Sequence, residues 1–336
     1  MDLATRFTRL RALYLPAILE LLAEIPAASV PAGSTLVPMA AYHLGTGGKR
    51  LRALLPLLVG EALGTEPGRL VPLGAACELL HNATLVHDDL QDGDRTRRGQ
   101  ATVWARFGAP QAINLGDAMF YWTLLALARL DAPPALREAL AARVLRETLR
   151  VIDGQEREFA LKRRPEVSLS DYFAMVEGKT SGLFALPMAG AAVACGAPEG
   201  LVEGLAEAAR HLGVLFQIQD DVLDLYGDKG RDAPGADIAE GKRSVLVMWA
   251  LATLPPERAA WLEGVLDAPR EETSAADIAQ AVGLLRACGA LGFALAEIER
   301  RRAAAVAVPA VAASPALREL VSGIAELFLA PIAGIC

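Results

Sequence analysis

Two short segments carry carboxylates at the same spacing: Asp88, Asp89 and Asp92, and, 132 residues later, Asp220, Asp221 and Asp224. In a helix of 3.6 residues per turn, positions i and i+4 share a face, so Asp88 aligns with Asp92 and Asp220 with Asp224. Both segments lie in stretches that otherwise read as buried helix. Like charges gathered there are costly unless a cation or close pairing compensates them. Two such clusters facing one cavity would form an oxygen-rich cage suited to Mg²⁺, which takes carboxylates together with substrate phosphates and water.

Basic residues flank the acids. Gly47, Gly48, Lys49, Arg50, Leu51 and Arg52 open an apolar helix, where backbone amides and the side chains at i and i+3 could converge on a phosphate. Arg95, Arg97, Arg98 and Gly99 follow the first acidic cluster and could neutralise it or hold a diphosphate beside it. Lys179-Thr180 and Lys242 each follow a glycine (Gly178, Gly241). His81 and His87 stand six residues apart on the first acidic helix, where a histidine is more often structural than functional. Gln217, three residues before Asp220, could donate to a phosphate or satisfy neighbouring backbone.

The elements that must position these groups are helices. Leu10, Leu13, Tyr14, Ala17, Ile18, Leu21 and Leu22 form one apolar stripe; Leu73, Ala76, Cys77, Leu80, Ala83, Thr84 and His87 form another, leading into the first cluster. Leu201, Leu205, Ala208, Leu212, Leu215, Phe216 and Gln219 lead into the second. Convincing period-2 alternation is absent, and the apolar content, 53% of 336 residues, is rich in Ala and Leu. An all-α fold is expected. No Gly/Ser tract, charge block or repeat divides the chain, so 1–336 reads as a single domain. The breaks at 64–68, 132–135, 196–200 and 254–257 read as helix-to-helix turns, and 306–313 as a surface connection.

The net charge of −7 argues against nucleic acid as a partner. The longest uncharged stretch, Thr180 to Pro198, contains Pro187 and Gly190 and reads as a core helix, so no transmembrane segment is expected. Cys77, Cys195, Cys288 and Cys336 are dispersed, with no disulfide framework or zinc spacing, and no signal-peptide layout opens the chain. A cytoplasmic protein is expected.

Taken together and in order, GGKRLR at 47–52, HNATLVHDDLQD at 81–92, RRG at 97–99, GKT at 178–180, FQIQDDVLD at 216–224 and EGK at 240–242 resemble the trans-polyprenyl diphosphate synthases, of geranylgeranyl or longer-chain type. The resemblance runs from about residue 40 to 250. It implies a single-domain isoprenoid-synthase-type helical bundle around a deep central cavity, usually as a homodimer. The implied reaction joins isopentenyl diphosphate head to tail with an allylic diphosphate (dimethylallyl, geranyl or farnesyl). Carried over position by position, Asp88, Asp92 and Asp220 would be ligands of three Mg²⁺ ions, with Asp89, Asp221 and Asp224 supporting or joining them as metal ligands. Arg97, Lys179, Gln217 and Lys242 would hold the allylic diphosphate. Lys49, Arg52, His81 and Arg98 would hold isopentenyl diphosphate. Thr180 and Gln217 would offer dipoles to the allylic cation, and the departed diphosphate would take the proton, so no protein general base is required.

Two departures stand out. Ala53 replaces the proline usual after GGKR-x-R, and the loop 227–242 is shorter than the family's, leaving Lys229 and Arg231 as alternatives for closing over the allylic diphosphate. Chain length is expected to follow from Ala83, five residues before Asp88 and therefore about 7.5 Å along the axis at about 1.5 Å per residue. Short-chain enzymes of the family tend to place an aromatic floor there. Ala83 and Thr84 are small, so the tail should pass, with Phe120, Tyr121 and Trp122 as a lower floor and a product of C20 or longer. A class I terpene cyclase would normally have a different second metal motif, and an HD-type phosphohydrolase would leave Asp92, Asp220 and Asp224 unexplained. A catalytically silent prenyl-diphosphate-binding subunit would typically lack one acidic cluster.

Overall fold

The computed structural model describes all residues except Met1, Arg163, Pro165, Glu166, 228–234 and Cys336. Lys229 and Arg231 therefore lie outside the described residues. The chain is all-α. Its helices are α1 (Leu3–Ser29), α2 (Leu36–Gly45), α3 (Leu51–Ala62), α4 (Val71–Gln91), α5 (Val103–Phe107) and α6 (Ala109–Ala128). Then come α7 (Pro134–Leu161), α8 (Leu169–Lys179), α9 (Gly182–Ala194), α10 (Glu199–Tyr226), α11 (Ala236–Ala239) and α12 (Val245–Thr253). The series ends with α13 (Pro256–Asp267), α14 (Ala275–Ala287), α15 (Ala290–Ala307), α16 (Pro309–Ala312) and α17 (Pro315–Leu329). Among the described residues the only strand pairing is a hairpin of β1 (Thr96–Arg97) and β2 (Gln100–Ala101).

The chain divides into two compact units. The first comprises residues 1–148, 183–207 and 309–320. At its centre α4 packs on α3 and α6, with α1 against α3 and α4. Leu73, Ala75, Ala76, Leu79, Leu80, Ala83 and Val86 are all buried, so α4 is apolar nearly all round, as a central helix must be. Two glycines allow the close packing. A Cβ on Gly74 would lie 2.4 Å from the Ala53 carbonyl oxygen, and one on Gly116 would lie 2.1 Å from His87 Nε2. The α1 stripe is narrower than its spacing suggests: Leu10, Ile18 and Leu22 are buried, whereas Leu13 is 60% exposed. By length and composition α1 could cross a bilayer, as could the bent α14–α15 pair taken as one span. Core helices pass the same test, and α1 turns its buried residues onto α3 and α4.

The second unit comprises 149–182, 208–308 and 321–336. Here α12 packs against α8, α13, α14 and α15, and Phe216 of α10 meets Phe328 of α17 edge-on at 5.0 Å. The stretch 306–313, where the chain passes from the second unit into residues of the first, is a largely exposed connection as expected, with only Val308 and Val311 buried. Pro309 opens the short helix α16, where a missing N–H is harmless.

Candidate active site

In the first unit the two ends of α4 do different work. Near its C-terminus Asp88 and Asp92 stay partly exposed, and Asp92 caps the helix with its N–H donated to the Asp88 carbonyl at 2.8 Å. Asp89, 100° round the helix, is 1% exposed and accepts from Arg97 Nε at 2.6 Å. Burial works against the charge of Arg97, but its bonds to Asp89 and the nearby Asp88 outweigh that and hold its pKa above the usual value. Arg97, expected on the substrate, is thus brought to an aspartate.

Above the acids lies a cationic group. Arg52 Nη1 is 3.3 Å from His81 Nε2, and its guanidinium stacks over Phe184 at 4.5 Å. Burial, with Arg98 adding repulsion and Glu78 opposing, lowers Arg52 to about 10. The His81 imidazole is pushed well below its ordinary range by burial first, then by Arg52, Arg98 and Arg97. Arg98 has a left-handed backbone (φ 52°) and donates to the Gly47 carbonyl. Its guanidinium would sit 2.9 Å from a Cβ on Gly48, which explains the glycine there. Arg52, His81 and Arg98 are therefore brought together, while Lys49 is exposed on the adjoining loop.

Glu78 and His43 escaped the sequence reading, and Arg50 entered it only as one of the basic residues opening α3. Arg50, also left-handed (φ 55°), is buried and donates to Glu78 Oε1 at 2.6 Å and to the Leu44 carbonyl. Glu78 also accepts from Asn82 Nδ2 at 3.0 Å. His43 is buried, and burial followed by Arg97, Arg98 and Arg50 lowers it to about 4. A charge at 78, one turn before His81 within an apolar stripe, was the available signal.

His87 is seated in the notch at Gly116, 3.4 Å from the Ile113 carbonyl oxygen and edge-on to Phe120 at 5.7 Å. Its Nε2 also lies 3.6 Å from Asp117 Oδ1. Ala83 is fully buried, and the Thr84 hydroxyl donates to the His81 carbonyl at 2.8 Å. The expected lower floor needs correction. Phe120 lies beside His87, one turn nearer the acids than Ala83, and Tyr121 is 71% exposed while Trp122 is buried. Three consecutive helical residues diverge by 100° each and cannot share a floor.

The second unit repeats the acidic arrangement. Asp220 is partly exposed. Asp221 is 4% exposed and accepts from Tyr172 OH at 2.8 Å, Val245 N–H at 2.8 Å and Gln217 Nε2 at 3.0 Å. Burial raises Asp221 to about 7 against those three donors, with Asp237 adding to the rise. Asp224 accepts from the Asp237 N–H at 3.3 Å. In both segments, then, the second aspartate is tied into the protein. Gln217 bridges Asp221 to Thr180, whose hydroxyl donates to Gln217 Oε1 at 2.9 Å. Lys179 pairs with Glu158, and Lys242 with Asp237 at 3.0 Å and Glu240 at 2.7 Å. Tyr172 and Glu158 were not foreseen.

Among the described residues no three His, Cys, Asp or Glu side chains converge as a ready metal site. The donors nevertheless suit Mg²⁺: hard carboxylate oxygens of the partly exposed Asp88, Asp92 and Asp220, with the remaining positions left for water and phosphate.

A family model described as Polyprenyl synthetase matches residues 34–285, which include every motif above. A geranylgeranyl diphosphate synthase of Mycobacterium tuberculosis is 35% identical, covering 84% of this chain and 84% of that protein. A (2E,6E)-farnesyl diphosphate synthase of Mycobacterium bovis is 34% identical, covering 79% and 77%. A polyprenyl synthase of Caulobacter crescentus, solved with calcium and isoprenyl diphosphate, superposes with a TM-score of 0.84 at 26% identity over 97% of both chains.

Proposed function

The chain belongs to the polyprenyl synthetase family and is a trans-prenyltransferase; on that premise we propose that it elongates an allylic diphosphate with isopentenyl diphosphate to an all-trans product of C20 or longer. The observation that carries this reading is the twofold arrangement of aspartates. In the first segment Asp89 is anchored by Arg97, and in the second Asp221 by Tyr172, Gln217 and Val245 and the buried Asp224 by the Asp237 N–H, while Asp88, Asp92 and Asp220 remain partly exposed.

In this reading Asp88, Asp92 and Asp220, with Asp224 in support, would hold three Mg²⁺ ions and through them the diphosphate, and the whole chain acts as one catalytic domain. Bound Mg²⁺ would supply Lewis-acid neutralisation of the leaving diphosphate. Lys179 and Lys242 hold the allylic diphosphate from the protein side. Arg97, paired to Asp89, fixes the acidic turn and lends its charge to the same anion. Lys49, Arg52, His81 and Arg98 bind isopentenyl diphosphate, with His81 kept neutral among the arginines. As the allylic C–O bond ionises, the Thr180 hydroxyl and Gln217 carbonyl present oriented dipoles and no nucleophile strong enough to trap the cation. The isopentenyl alkene attacks C1, and the released diphosphate removes the proton.

A product of at least C20 is supported by the small Ala83, although relatives of both C15 and C20 name exist. The exposed Ile113, Tyr121 and Leu125 along α6 favour a homodimer. Free Cys77, Cys195 and Cys288 fit a reducing cytoplasm. The test is incubation of purified protein with Mg²⁺, labelled isopentenyl diphosphate and dimethylallyl, geranyl or farnesyl diphosphate, followed by chromatography. Elongated prenyl diphosphates are expected. Hydrocarbon would mean a cyclase, free phosphate a hydrolase, and no turnover a silent subunit; each would overturn the reading.

A further inference from the structure

Helices α7 and α8 meet backbone to backbone. A Cβ on Gly154 would lie 2.0 Å from the Lys179 backbone nitrogen, and one on Gly178 would lie 2.9 Å from both the Arg150 carbonyl oxygen and Gly154 Cα. Glycine weakens a helix, so two glycines at one crossing mark a contact for which local stability is given up. Its consequence is local. Four residues after Gly154, on the same face of α7, stands Glu158, and the Lys179 ammonium donates to its carboxylate. The next residue, Thr180, reaches the other way to Gln217. The end of α8 is thereby fixed on two sides.

We propose that Glu158 is the positioning residue that aims the Lys179 ammonium at the allylic diphosphate. This rests on the reading of Lys179 given above. An ammonium has three donors on a flexible stem, and one fixed by Glu158 leaves the others a restricted set of directions. Glu158 remains ionised in that role: burial alone would raise its pKa, but Lys179, with Lys242 and Lys162 nearby, holds it below the usual carboxylate range. Its charge also keeps these lysines from forming an uncompensated cluster before substrate arrives.

The test is a series of variants measured in two ways. Glu158→Ala should raise the KM for the allylic diphosphate about tenfold or more and leave the KM for isopentenyl diphosphate within about twofold, the scale expected for one charged hydrogen bond. Glu158→Gln keeps an acceptor at the same reach and should recover most of the loss, whereas Glu158→Asp, one methylene short, should recover less. In a Lys179→Ala background, Glu158→Ala should add less than about twofold. The same variants titrated calorimetrically with inorganic diphosphate and Mg²⁺ should follow the same order. Should the wild type bind diphosphate yet make no prenyl product, the proposed function falls and the calorimetric series alone decides the role of Glu158. Unchanged allylic KM and diphosphate Kd in Glu158→Ala, or an effect of full size with Lys179 absent, overturns the proposal. If Glu158→Ala does not fold by circular dichroism, Gln and Asp decide it: glutamine close to wild type and above aspartate supports the proposal, and aspartate outperforming glutamine overturns it.

Discussion

Replacing Glu78 by glutamine tests whether the buried ion pair beneath the isopentenyl diphosphate residues sustains both stability and site geometry. Glu78 is 3% exposed, and its Oε1 takes Arg50 Nη1 at 2.6 Å and Asn82 Nδ2 at 3.0 Å. Glutamine preserves volume and one oxygen, and Asn82 keeps its bond to the Glu78 backbone carbonyl at 2.8 Å. What disappears is the counter-charge of a buried guanidinium. Removing one partner of a buried pair costs about 3–5 kcal/mol, and the surviving acceptor places this variant near 3. At about 1.4 kcal/mol per factor of ten, the unfolding equilibrium constant should rise more than a hundredfold. Urea denaturation measures this directly at matched slope. Because Arg50 holds the left-handed turn that starts α3, the same variant should raise the KM for isopentenyl diphosphate and spare that for the allylic substrate. The double variant Glu78→Gln/Arg50→Met, which removes the uncompensated charge, should be more stable than Glu78→Gln alone. A loss below about 1 kcal/mol, or a double variant less stable than the single, refutes the reasoning.

Other outcomes follow from the same unit. His43 titrates near 4 when folded against about 6.5 when unfolded, so the unfolded chain binds its proton first as the pH falls. Stability should therefore be full above pH 6.5 and decline towards pH 4, by about 3 kcal/mol from this group, and His43→Gln should flatten that slope in urea titrations. Gly116→Ala should lose about 1–3 kcal/mol through collision with the His87 ring, and adding His87→Ala should restore most of it in thermal melts. Ala83→Phe should shorten the chromatographed product; equal product lengths from both proteins would remove Ala83 from control of chain length.

The helices were legible because their apolar residues recur at helical spacing, and α4 and α10 carry the acidic segments as expected. The i and i+4 geometry also foretold which aspartates could share a face. The positions set by distant partners were not legible. Arg50 meets Glu78 across 28 residues, Tyr172 meets Asp221 across 49, and Lys179 meets Glu158 across 21. No local periodicity encodes such pairings. Partial signals existed in Glu78 within an apolar stripe and in Glu158 one turn beyond Gly154. Tyr121 fails as a floor for a simpler reason, the 100° step between successive helical residues. The short helix α16 escaped because Pro309 reads as a break when it is in fact a helix start.

The two distant aspartate segments are proposed to hold divalent ions around one shared diphosphate. The most direct test is a crystal structure with Mn²⁺ and inorganic diphosphate, the metals located by anomalous scattering. Metal peaks are expected at Asp88 and Asp92 on one side of a single diphosphate and at Asp220 on the other. Peaks confined to one segment, or two metal sites with no diphosphate between them, would contradict that arrangement.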